Sequence, residues 1–330
     1  MKAGCKVIVC ADNSSYPRRF FALRRKHMRM RESYDIMLVA GPYSQPLVPL
    51  AKKCRKGPVV MDYFLGFTET LVEDRKVTPP NSFSAYLYRL LDRLAPKFAD
   101  LIISDTNSHI DYFCETFHLN RERFKRIFVG SDEEFFYPRP RKVEKNYFKV
   151  LFWGNFIPLH GISYIIKAAK LLEHHKEIVF EIRGSGQTYH KIRKLSQSLN
   201  IHNVDFTPPV PYEKLPDCIS TADVCLGVFG QNQKAKRVIP QKIFEAIAMK
   251  KPVITGDSPA IREALLPGTD CITCTMADER AIADSIILLK EDSNLREKIA
   301  YNSYAVFRRN YTMSTLGRQL VDSFKEIIEC

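Results

Sequence analysis

The amino-acid sequence predicts an α/β protein built from two doubly wound, Rossmann-like domains. Its 330 residues exceed one ordinary domain and suit two domains of roughly 150 residues each. In each half, short and nearly continuous apolar segments alternate with helical segments, which is typical of parallel sheets covered on both faces. A polar stretch at residues 132–149, with Pro138 and Pro140, separates the halves. We therefore expect a linker at residues 141–148.

The same alternation predicts individual elements. The predicted strands are residues 6–10, 35–40, 59–62, 101–105, 149–153, 178–183, 204–207, 223–228 and 252–255. The predicted helices are residues 16–31, 44–55, 82–98, 108–117, 162–174, 189–199, 212–219, 240–249, 280–289, 295–310 and 314–329. The first domain is then residues 1–140 and the second is residues 149–330, with the final helix expected to pack back on the first domain.

Composition excludes several classes of protein. Hydrophobic residues at 45% and charged residues at 26% are ordinary for a globular chain and exclude wholesale disorder. No segment has the run of about 18 uncharged apolar residues that a membrane span requires, so we expect a cytoplasmic protein. Nine scattered cysteines do not form a disulfide framework. Cys271 and Cys274 lack a second pair and a nearby His, so they are expected to be buried strand cysteines rather than zinc ligands.

The net charge of +13 belongs mainly to the first half. Residues 1–150 carry 27 Lys and Arg against 17 Asp and Glu, and residues 151–330 carry 23 against 20. Basic residues cluster at 18–31 and 52–56. Three interpretations stay open: a solvated helix face, an anionic membrane surface or phosphate-bearing acceptor, and nucleic acid, which is the least favoured.

Two glycine-containing turns follow predicted strands of the second half. Ligands of doubly wound sheets bind beyond the carboxyl ends of the strands, so these turns are candidate ligand sites. Gly154 and Gly161 bracket one turn, and Arg183, Gly184 and Gly186 form the other. Glycine allows a ligand to approach the backbone, and a following helix start suits phosphate. Both patterns also fit ordinary tight turns.

A cluster of cations lies around the start of a helix predicted to begin at Pro240. Positive charge and a helix N-terminus together predict an anion site. Glu245 lies on this helix and is suited to accept hydroxyl groups of a ribose. The alternative is a surface glutamate paired with Lys242 or Lys250. The cations of the cluster are Lys234, Lys236, Arg237 and Lys242.

These segments resemble the retaining glycosyltransferases of family 4, which have the two-domain GT-B fold. The resemblance covers most of residues 149–330 and is most specific at residues 244–254, Phe-Glu-Ala-Ile-Ala-Met-Lys-Lys-Pro-Val-Ile. It implies two domains facing a cleft, a nucleotide-sugar donor as substrate on the second domain, and no cofactor. It also implies that Glu245 holds the ribose. Taken together, the turns, the cation cluster and the resemblance give these expected donor-binding residues: Gly154, His160, Arg183, Gly184, Gly186, Lys234, Arg237, Lys242 and Glu245.

The chain departs from the family pattern at three positions. Asn155 and His160 stand where the family usually has an Arg and a Lys, and Arg237 stands where it usually has a glutamate. We expect the cation cluster to take over the diphosphate. In the first domain, Asp62 falls near the position of a sugar-contacting residue in the family and is the catalytic candidate. A helix-capping role for Asp62 is the alternative. The pairs Asp74 with Arg75 and Asp105 with His109 are the other candidates.

The implied reaction needs positive charge at the departing nucleoside diphosphate, which the cations supply. The chain contains no D-x-D pattern, so no metal site is expected. The resemblance implies that the first domain binds the acceptor. We expect a saccharide, lipid-linked or cell-envelope acceptor, and the basic charge of the first half predicts peripheral contact at the inner membrane face. The alternatives are a nucleotide-sugar epimerase on the same fold, a donor-binding protein without activity, and a non-catalytic basic protein that binds nucleic acid or membranes.

Overall fold

The computed structural model describes residues 4–15, 18–30, 33–140 and 146–329. The chain divides into two compact units, residues 1–128 with 314–330 and residues 129–313. Each unit contains one sheet of parallel strands with helices, so the predicted α/β class with two parallel-sheet domains is confirmed. Of the expected linker, residues 141–145 lie outside the described residues.

The first unit contains a four-stranded parallel sheet in the order β1-β2-β3-β4. Its core forms where the apolar strands β2 and β3 pack against α2 and α4, with Val59, Met61, Ile102 and Phe113 buried. A π-helical segment, Thr68–Asp74, lies between β2 and α3. The strands are β1 Met37–Val39, β2 Val59–Asp62, β3 Leu101–Ser104 and β4 Phe124–Arg126, and the helices are α1 Arg18–Arg29, α2 Val48–Cys54, α3 Phe83–Leu94 and α4 Asn107–Phe117.

Three expectations for the first unit are wrong or incomplete. Residues 6–10 form no strand, and Val7 and Val9 are exposed, so no buried face holds an extended segment there. Strand β4 is not predicted because it has only three residues, two of them basic. The described strands follow one another in chain order, without the reversal of a doubly wound sheet, because the expected first strand is not part of the sheet. Of the predicted helix 16–31, residues 16, 17 and 31 lie outside the described residues.

The second unit has a six-stranded parallel sheet in the order β7-β6-β5-β8-β9-β10, which is doubly wound. The chain reverses direction across the sheet between β5 and β8, where Val150 pairs with Val224. The strands are β5 Phe148–Trp153, β6 Ile178–Arg183, β7 Val204–Thr207, β8 Val224–Leu226, β9 Val253–Gly256 and β10 Ile272–Cys274. Ligands of such sheets bind beyond the carboxyl ends of the strands at this reversal.

Helices cover both faces of the second sheet, and their apolar sides form its core with the strands. They are α5 Ile162–Leu171, α6 Tyr189–Ser198, α7 Leu215–Ser220, α8 Gln233–Arg237, α9 Gln241–Ala248, α10 Pro259–Ala264, α11 Glu279–Glu291 and α12 Ser293–Asn310. The final helix, α13 Met313–Ile328, belongs almost entirely to the first unit. None of the helices in the described parts of the chain has the length and apolar content to cross a bilayer.

The second unit corrects several sequence-based boundaries. The predicted elements omit helices α8 and α10, which have five and six residues, and give no bounds for strand β10, although Cys271 and Cys274 were expected to lie in a strand. Pro240 is the N-cap of α9 rather than its first helical residue. Cys274 is buried in β10 and Cys271 is buried just before it, and burial raises the pKa of each thiol to about 12. The expectation of buried, reduced cysteines is confirmed for this pair.

Candidate functional site

The two glycine turns of the second unit pack directly against each other. The Gly154 N–H donates to the Arg183 carbonyl oxygen at 3.0 Å, and the Phe156 N–H donates to the Ser185 carbonyl oxygen at 2.8 Å. A Cβ at Gly184 would lie 2.0 Å from the Gly154 carbonyl oxygen. Gly184 also has a φ of +142°, which side chains rarely allow. A glycine is therefore required at position 184 for the two turns to approach each other.

Gly186 has the same role two residues further along the turn. Its φ is +143°, and a Cβ there would lie 2.8 Å from the Phe156 backbone nitrogen. The Thr188 N–H donates to the Phe156 carbonyl oxygen at 2.9 Å, which continues the contact toward α6. The glycines after β6 thus fix the shape of the turn after β5.

A second backbone contact joins the loops that follow β5 and β8. A Cβ at Gly161 would lie 2.4 Å from the Phe229 carbonyl carbon, and one at Gly230 would lie 2.2 Å from the Leu159 carbonyl oxygen. The Gly230 N–H donates to that same oxygen at 3.2 Å. Because β5 and β8 flank the reversal of the sheet, these glycines shape the candidate ligand site at its edge.

Lys242, in the first turn of α9, places its ammonium group beneath the Gly154 turn. Its Nζ lies 3.1 Å from the Cβ position of Gly154 and 3.7 Å from the centroid of the Phe152 ring. The residue is 6% exposed, and Nζ has no hydrogen-bond partner among the described residues. Burial holds the pKa of Lys242 well below its ordinary value, although the charge of Glu245 opposes this. A buried ammonium of this kind is suited to an anionic ligand.

Glu245 lies one helical turn after Lys242 and is 5% exposed. The indole Nε1–H of Trp153 donates to its Oε2 at 2.8 Å. Burial raises the pKa of Glu245, while the Trp153 hydrogen bond and the charge of Lys242 partly offset the effect. The alternative of an exposed glutamate on a helix surface is therefore wrong.

His160 is also buried beside the Gly154 turn. Its Nδ1 lies 2.5 Å from the Asn155 carbonyl oxygen, and its ring packs edge-on against Phe152 with centroids 5.5 Å apart. The Cε1 atom of His160 is 3.6 Å from the Cβ position of Gly154. The structure thus brings Gly154, His160 and Lys242 together.

The other cations of the predicted cluster lie on the short helix α8. Asn232 caps this helix by accepting from the Ala235 N–H at 2.9 Å. Ala235 packs against Leu159 in the turn after β5, which brings α8 to that turn. Lys234 is buried, and Lys236 and Arg237 are half-buried.

Arg183 takes part in an ion cluster at the end of β6. Its Nε donates to Glu181 Oε1 at 2.8 Å, and its Nη1 donates to the Pro208 carbonyl oxygen at 2.7 Å. Lys149 pairs with the same glutamate at 2.5 Å. Burial alone would raise the pKa of Glu181, but these two cations lower it overall. The guanidinium group of Arg183 thus contacts neighbouring strands and their loops.

In the first unit, Asp62 is the last residue of β2 and is half-buried. Burial raises the pKa of its carboxyl group, and the backbone N–H groups of Gly41 and Phe64 oppose this by hydrogen bonding to it. The charge of Asp105 adds to the increase. Gly41 and Phe64 lie outside the helices, so the structure gives Asp62 no helix-capping bond.

His109 lies between two carboxylates in the buried part of the first unit. Its Nδ1 is 2.7 Å from Asp105 Oδ1, and its Nε2 is 3.0 Å from Glu69 Oε2 in the π-helical segment. Burial lowers the pKa of His109, but the two carboxylates outweigh this and raise it to about 9. The sequence pairs Asp105 with His109 as the structure does, but the third member, Glu69, is not predicted.

Asp92, on the buried face of α3, belongs to the same buried polar region as His109 and Glu69. Its carboxylate accepts from the Phe67 N–H at 3.1 Å and the Thr68 N–H at 2.7 Å, at the start of the π-helical segment. Burial raises the pKa of Asp92 to about 6. Asp74, the last residue of the segment, is buried, and Arg75 follows it as the C-cap.

The sequence of this chain also matches the model of a protein family. Residues 133–306, more than half of the chain, match the family model described as glycosyl transferases group 1. The chain belongs to this family.

Curated relatives match parts of the length of this chain. Alpha-D-kanosaminyltransferase of Streptomyces kanamyceticus is 26% identical over 180 residues, which is 54% of this chain and 45% of the relative. The putative colanic acid biosynthesis glycosyl transferase WcaI of Escherichia coli K12 is 28% identical over 110 residues, covering 33% and 26% respectively. The chain thus spans less than half the length of either relative.

Solved structures resemble this chain over most of its length. Sucrose-phosphate synthase from Thermosynechococcus elongatus has a TM-score of 0.78 at 17% identity, covering 95% of this chain and 78% of that one. HepE of Anabaena in complex with UDP-glucose has a TM-score of 0.76 at 18% identity, covering 92% and 82%. These likenesses support the GT-B fold that the sequence resemblance implied.

Sequence reasoning missed two aromatic residues at the candidate site. Phe152 underlies Lys242, and Trp153 holds Glu245. Both residues lie at the carboxyl end of β5, directly before the Gly154 turn. The sequence predicted this strand but not the contacts of the two side chains. The signal that was available is Trp153 itself, the single tryptophan of the chain, at the carboxyl end of a central strand.

Proposed function

We propose that the protein is a retaining, metal-independent glycosyltransferase of family 4. It transfers a sugar from a nucleotide-sugar donor to a saccharide, lipid-linked or cell-envelope acceptor. The observation that carries the proposal is the buried ammonium group of Lys242, which has no hydrogen-bond partner among the described residues and lies beneath the Gly154 turn. A buried cation with no hydrogen-bond partner costs stability unless a ligand of opposite charge binds it.

The donor's diphosphate is the anion that fits this position. Lys242 and the N–H groups at the start of α9 supply positive charge to it. Gly154, shaped by Gly184 and Gly186, allows the phosphates to approach the backbone. Lys234, Arg237 and His160 are assigned to the same donor site. Arg183 is a positioning residue in this proposal, since it contacts Glu181 and Pro208.

Glu245 is proposed to hold the donor's ribose. The Trp153 indole N–H donates a hydrogen bond to Oε2 of Glu245 and thereby fixes the orientation of the carboxylate. Oε1 then accepts from a ribose hydroxyl, and a hydrogen bond of this charged kind contributes about 1.5–3 kcal/mol. The same hydrogen bond makes Trp153 an intrinsic reporter of donor binding.

In the proposed reaction the bond between the anomeric carbon and the diphosphate oxygen breaks, and the acceptor oxygen forms a bond to that carbon. The proton of the acceptor hydroxyl passes to the departing diphosphate. Negative charge develops on the departing nucleoside diphosphate, where Lys242 stabilises it. Removing one such preorganised partner costs about 3–4 kcal/mol of barrier. Asp62 is proposed as the catalytic carboxylate that contacts the sugar. Cations supply the charge that a metal ion supplies elsewhere, so no metal is required.

The names of similar proteins guide the choice of substrates. HepE has been solved with UDP and with UDP-glucose, so UDP-sugars are the first donors to test. One relative is named a kanosaminyltransferase and another is named for colanic acid biosynthesis. The second name is consistent with a role in polysaccharide biosynthesis, which we propose for this protein. We also propose that it acts in the cytoplasm at the inner membrane face. An anionic membrane surface is the proposed partner of the basic first unit, and nucleic acid is not an expected partner.

The test is a titration of the protein with UDP, GDP, ADP and dTDP, followed by the emission of Trp153. We expect one nucleoside diphosphate to change the emission with saturation. Lys242→Ala and Glu245→Ala should each raise its dissociation constant about 10-fold to 100-fold, because each removes a charge-assisted bond. Lys250→Ala, at the exposed end of the same helix, is the matched control.

Unchanged dissociation constants in both variants would remove the donor-site assignment. Product analysis then separates the enzyme classes. We expect the sugar nucleotide to be consumed only when an acceptor is present. Isomerisation of the donor alone would identify an epimerase and overturn the proposed transfer reaction.

A further inference from the structure

Helix α3 exposes an apolar stripe along its full length. Phe83 is 80% exposed, Leu87 is 41%, Leu90 is 37% and Leu94 is 42%. These residues are spaced by four, three and four positions, so they share one face of the helix. Tyr86 beside them and Phe98 in the following 3₁₀ turn are also exposed.

The stripe is not the side by which α3 packs on its own unit. Ala85 and Asp92 are the buried residues of α3 and lie on the opposite face. Asp92 there binds the N–H groups that open the π-helical segment. Contacts of the buried face therefore hold α3 in place, and the apolar stripe takes no part in them. Contiguous apolar surface of this kind marks an interaction site.

Positive charge accompanies the stripe. By helical spacing Arg89 and Arg93 lie along one edge of it, and Lys97 follows in the 3₁₀ turn. All three are exposed and have no carboxylate partner among the described residues. The one acidic residue of α3, Asp92, is buried. The face therefore presents apolar side chains and cations together.

We propose that this face of α3 docks on an anionic lipid bilayer. The apolar side chains enter the boundary between headgroups and acyl chains, and Arg89, Arg93 and Lys97 contact lipid phosphates. The sequence locates basic clusters at residues 18–31 and 52–56 and does not identify α3. The inference deepens the proposed function, and it rests on that function only for the membrane-linked acceptor.

Charge complementarity favours a bilayer over a second copy of the chain. Anionic headgroups supply the negative charge that this face lacks. Two copies meeting through α3 would bring the same cations together, and α3 offers no exposed carboxylate to pair with them. Like charges in such a contact oppose association.

The experiment measures sedimentation of the full chain with vesicles. Equimolar phosphatidylglycerol and phosphatidylcholine vesicles are compared with vesicles of phosphatidylcholine alone. We expect binding to the anionic vesicles that weakens with salt. Leu87→Ser combined with Leu90→Ser, and separately Arg89→Gln combined with Arg93→Gln, should each reduce vesicle affinity at least ten-fold. The matched control combines Leu288→Ser and Tyr301→Ser, which replace exposed apolar residues of the second unit.

Two further measurements distinguish membrane docking from misfolding of the variants and from dimer formation. Nucleoside diphosphate titration with Trp153 emission should be unchanged in all variants, which shows that they fold and separates this proposal from the donor site. Light scattering should give a monomer. The proposal is overturned if the α3 variants bind vesicles as the parent does, or if the parent is a dimer that only the α3 variants dissociate.

Discussion

At the scale of single residues, Lys242 shows a conflict between stability and ligand binding. An ammonium group that is buried over an aromatic ring, with no hydrogen-bond partner among the described residues, destabilises the unliganded protein. A purely structural residue at this position would be apolar. The side chain is instead the feature that we assign to the donor's diphosphate.

Replacing Lys242 with methionine tests this conflict. Methionine has a similar shape and no charge, so Lys242→Met should raise the stability of the unliganded protein by about 1–3 kcal/mol. That is a rise of several degrees in the midpoint of thermal unfolding. The same variant should bind nucleoside diphosphate more weakly. Differential scanning fluorimetry with and without the nucleotide measures both effects.

Lys250→Met is the control, because Lys250 is exposed. It should change neither the melting midpoint nor the protection given by nucleotide. A Lys242→Met protein that melts earlier and still binds the nucleotide normally would mean that Lys242 is a structural residue.

His109 is the second residue whose charge is set by its surroundings. Its pKa of about 9 lies above the ordinary value of 6.5 because Glu69 and Asp105 both contact the ring. A group whose folded-state pKa is raised contributes stability that is fully present below 6.5 and is lost as the pH rises through about 9. We therefore expect the first unit to lose stability over that interval.

An NMR titration of the His109 ring measures this directly. The ring of the folded protein should titrate near pH 9, and that of the urea-unfolded chain should titrate near 6.5. Glu69→Gln removes one of the two carboxylates and should lower the folded-state pKa. A folded-state pKa at or below 6.5 would show that the ring is neutral between its two neighbours.

At the scale of elements, the candidate site depends on two turns that fit only as a pair. The turn after β5 takes its shape from the glycines after β6, since any side chain at Gly184 would overlap the Gly154 carbonyl group. The sequence shows glycines in both turns but not that they touch. Their joint role is thus structural, and it positions the backbone above Lys242.

Gly184→Ala should therefore destabilise the second unit by about 1–3 kcal/mol, through overlap and backbone strain together. Gly268→Ala separates the two causes, because Gly268 has a φ of +75° but no atom within 4 Å of its Cβ position. Urea unfolding followed by Trp153 emission reports on this unit. Equal losses in the two variants would show that strain alone, without the turn contact, limits position 184.

At the scale of the whole molecule, the chain folds into two units that share the α/β class and differ in layout. The second sheet has the full doubly wound order, and the described first sheet has four strands in chain order. The chain's last helix, α13, lies almost wholly in the first unit, and Lys125 of β4 pairs with Glu326 of α13 at 2.6 Å. The sequence-based expectation placed that helix in the second domain while expecting it to pack on the first.

The elements with strong apolar patterns were predictable, including the three-residue strands β1 and β8, which lie within the predicted strands 35–40 and 223–228. The burial pattern of β5 and β6 repeats the apolar runs visible in the sequence. Strand β4 was not predicted, because two of its three residues are basic. Residues 6–10 have an apolar pattern but no partner strand, so the pattern alone was misleading.

The sequence by itself determined the α/β class, the glycine turns, the cations and Glu245, because residue type and spacing along the chain carry that information. Only the tertiary structure decided which of these side chains meet. Lys242 and Gly154 lie 88 positions apart in the sequence and touch because β5 and α9 belong to one packed unit. Burial and hydrogen-bond partners depend on such distant contacts, and therefore so do the charge of Lys242, the pKa of His109 and the exposure of α3.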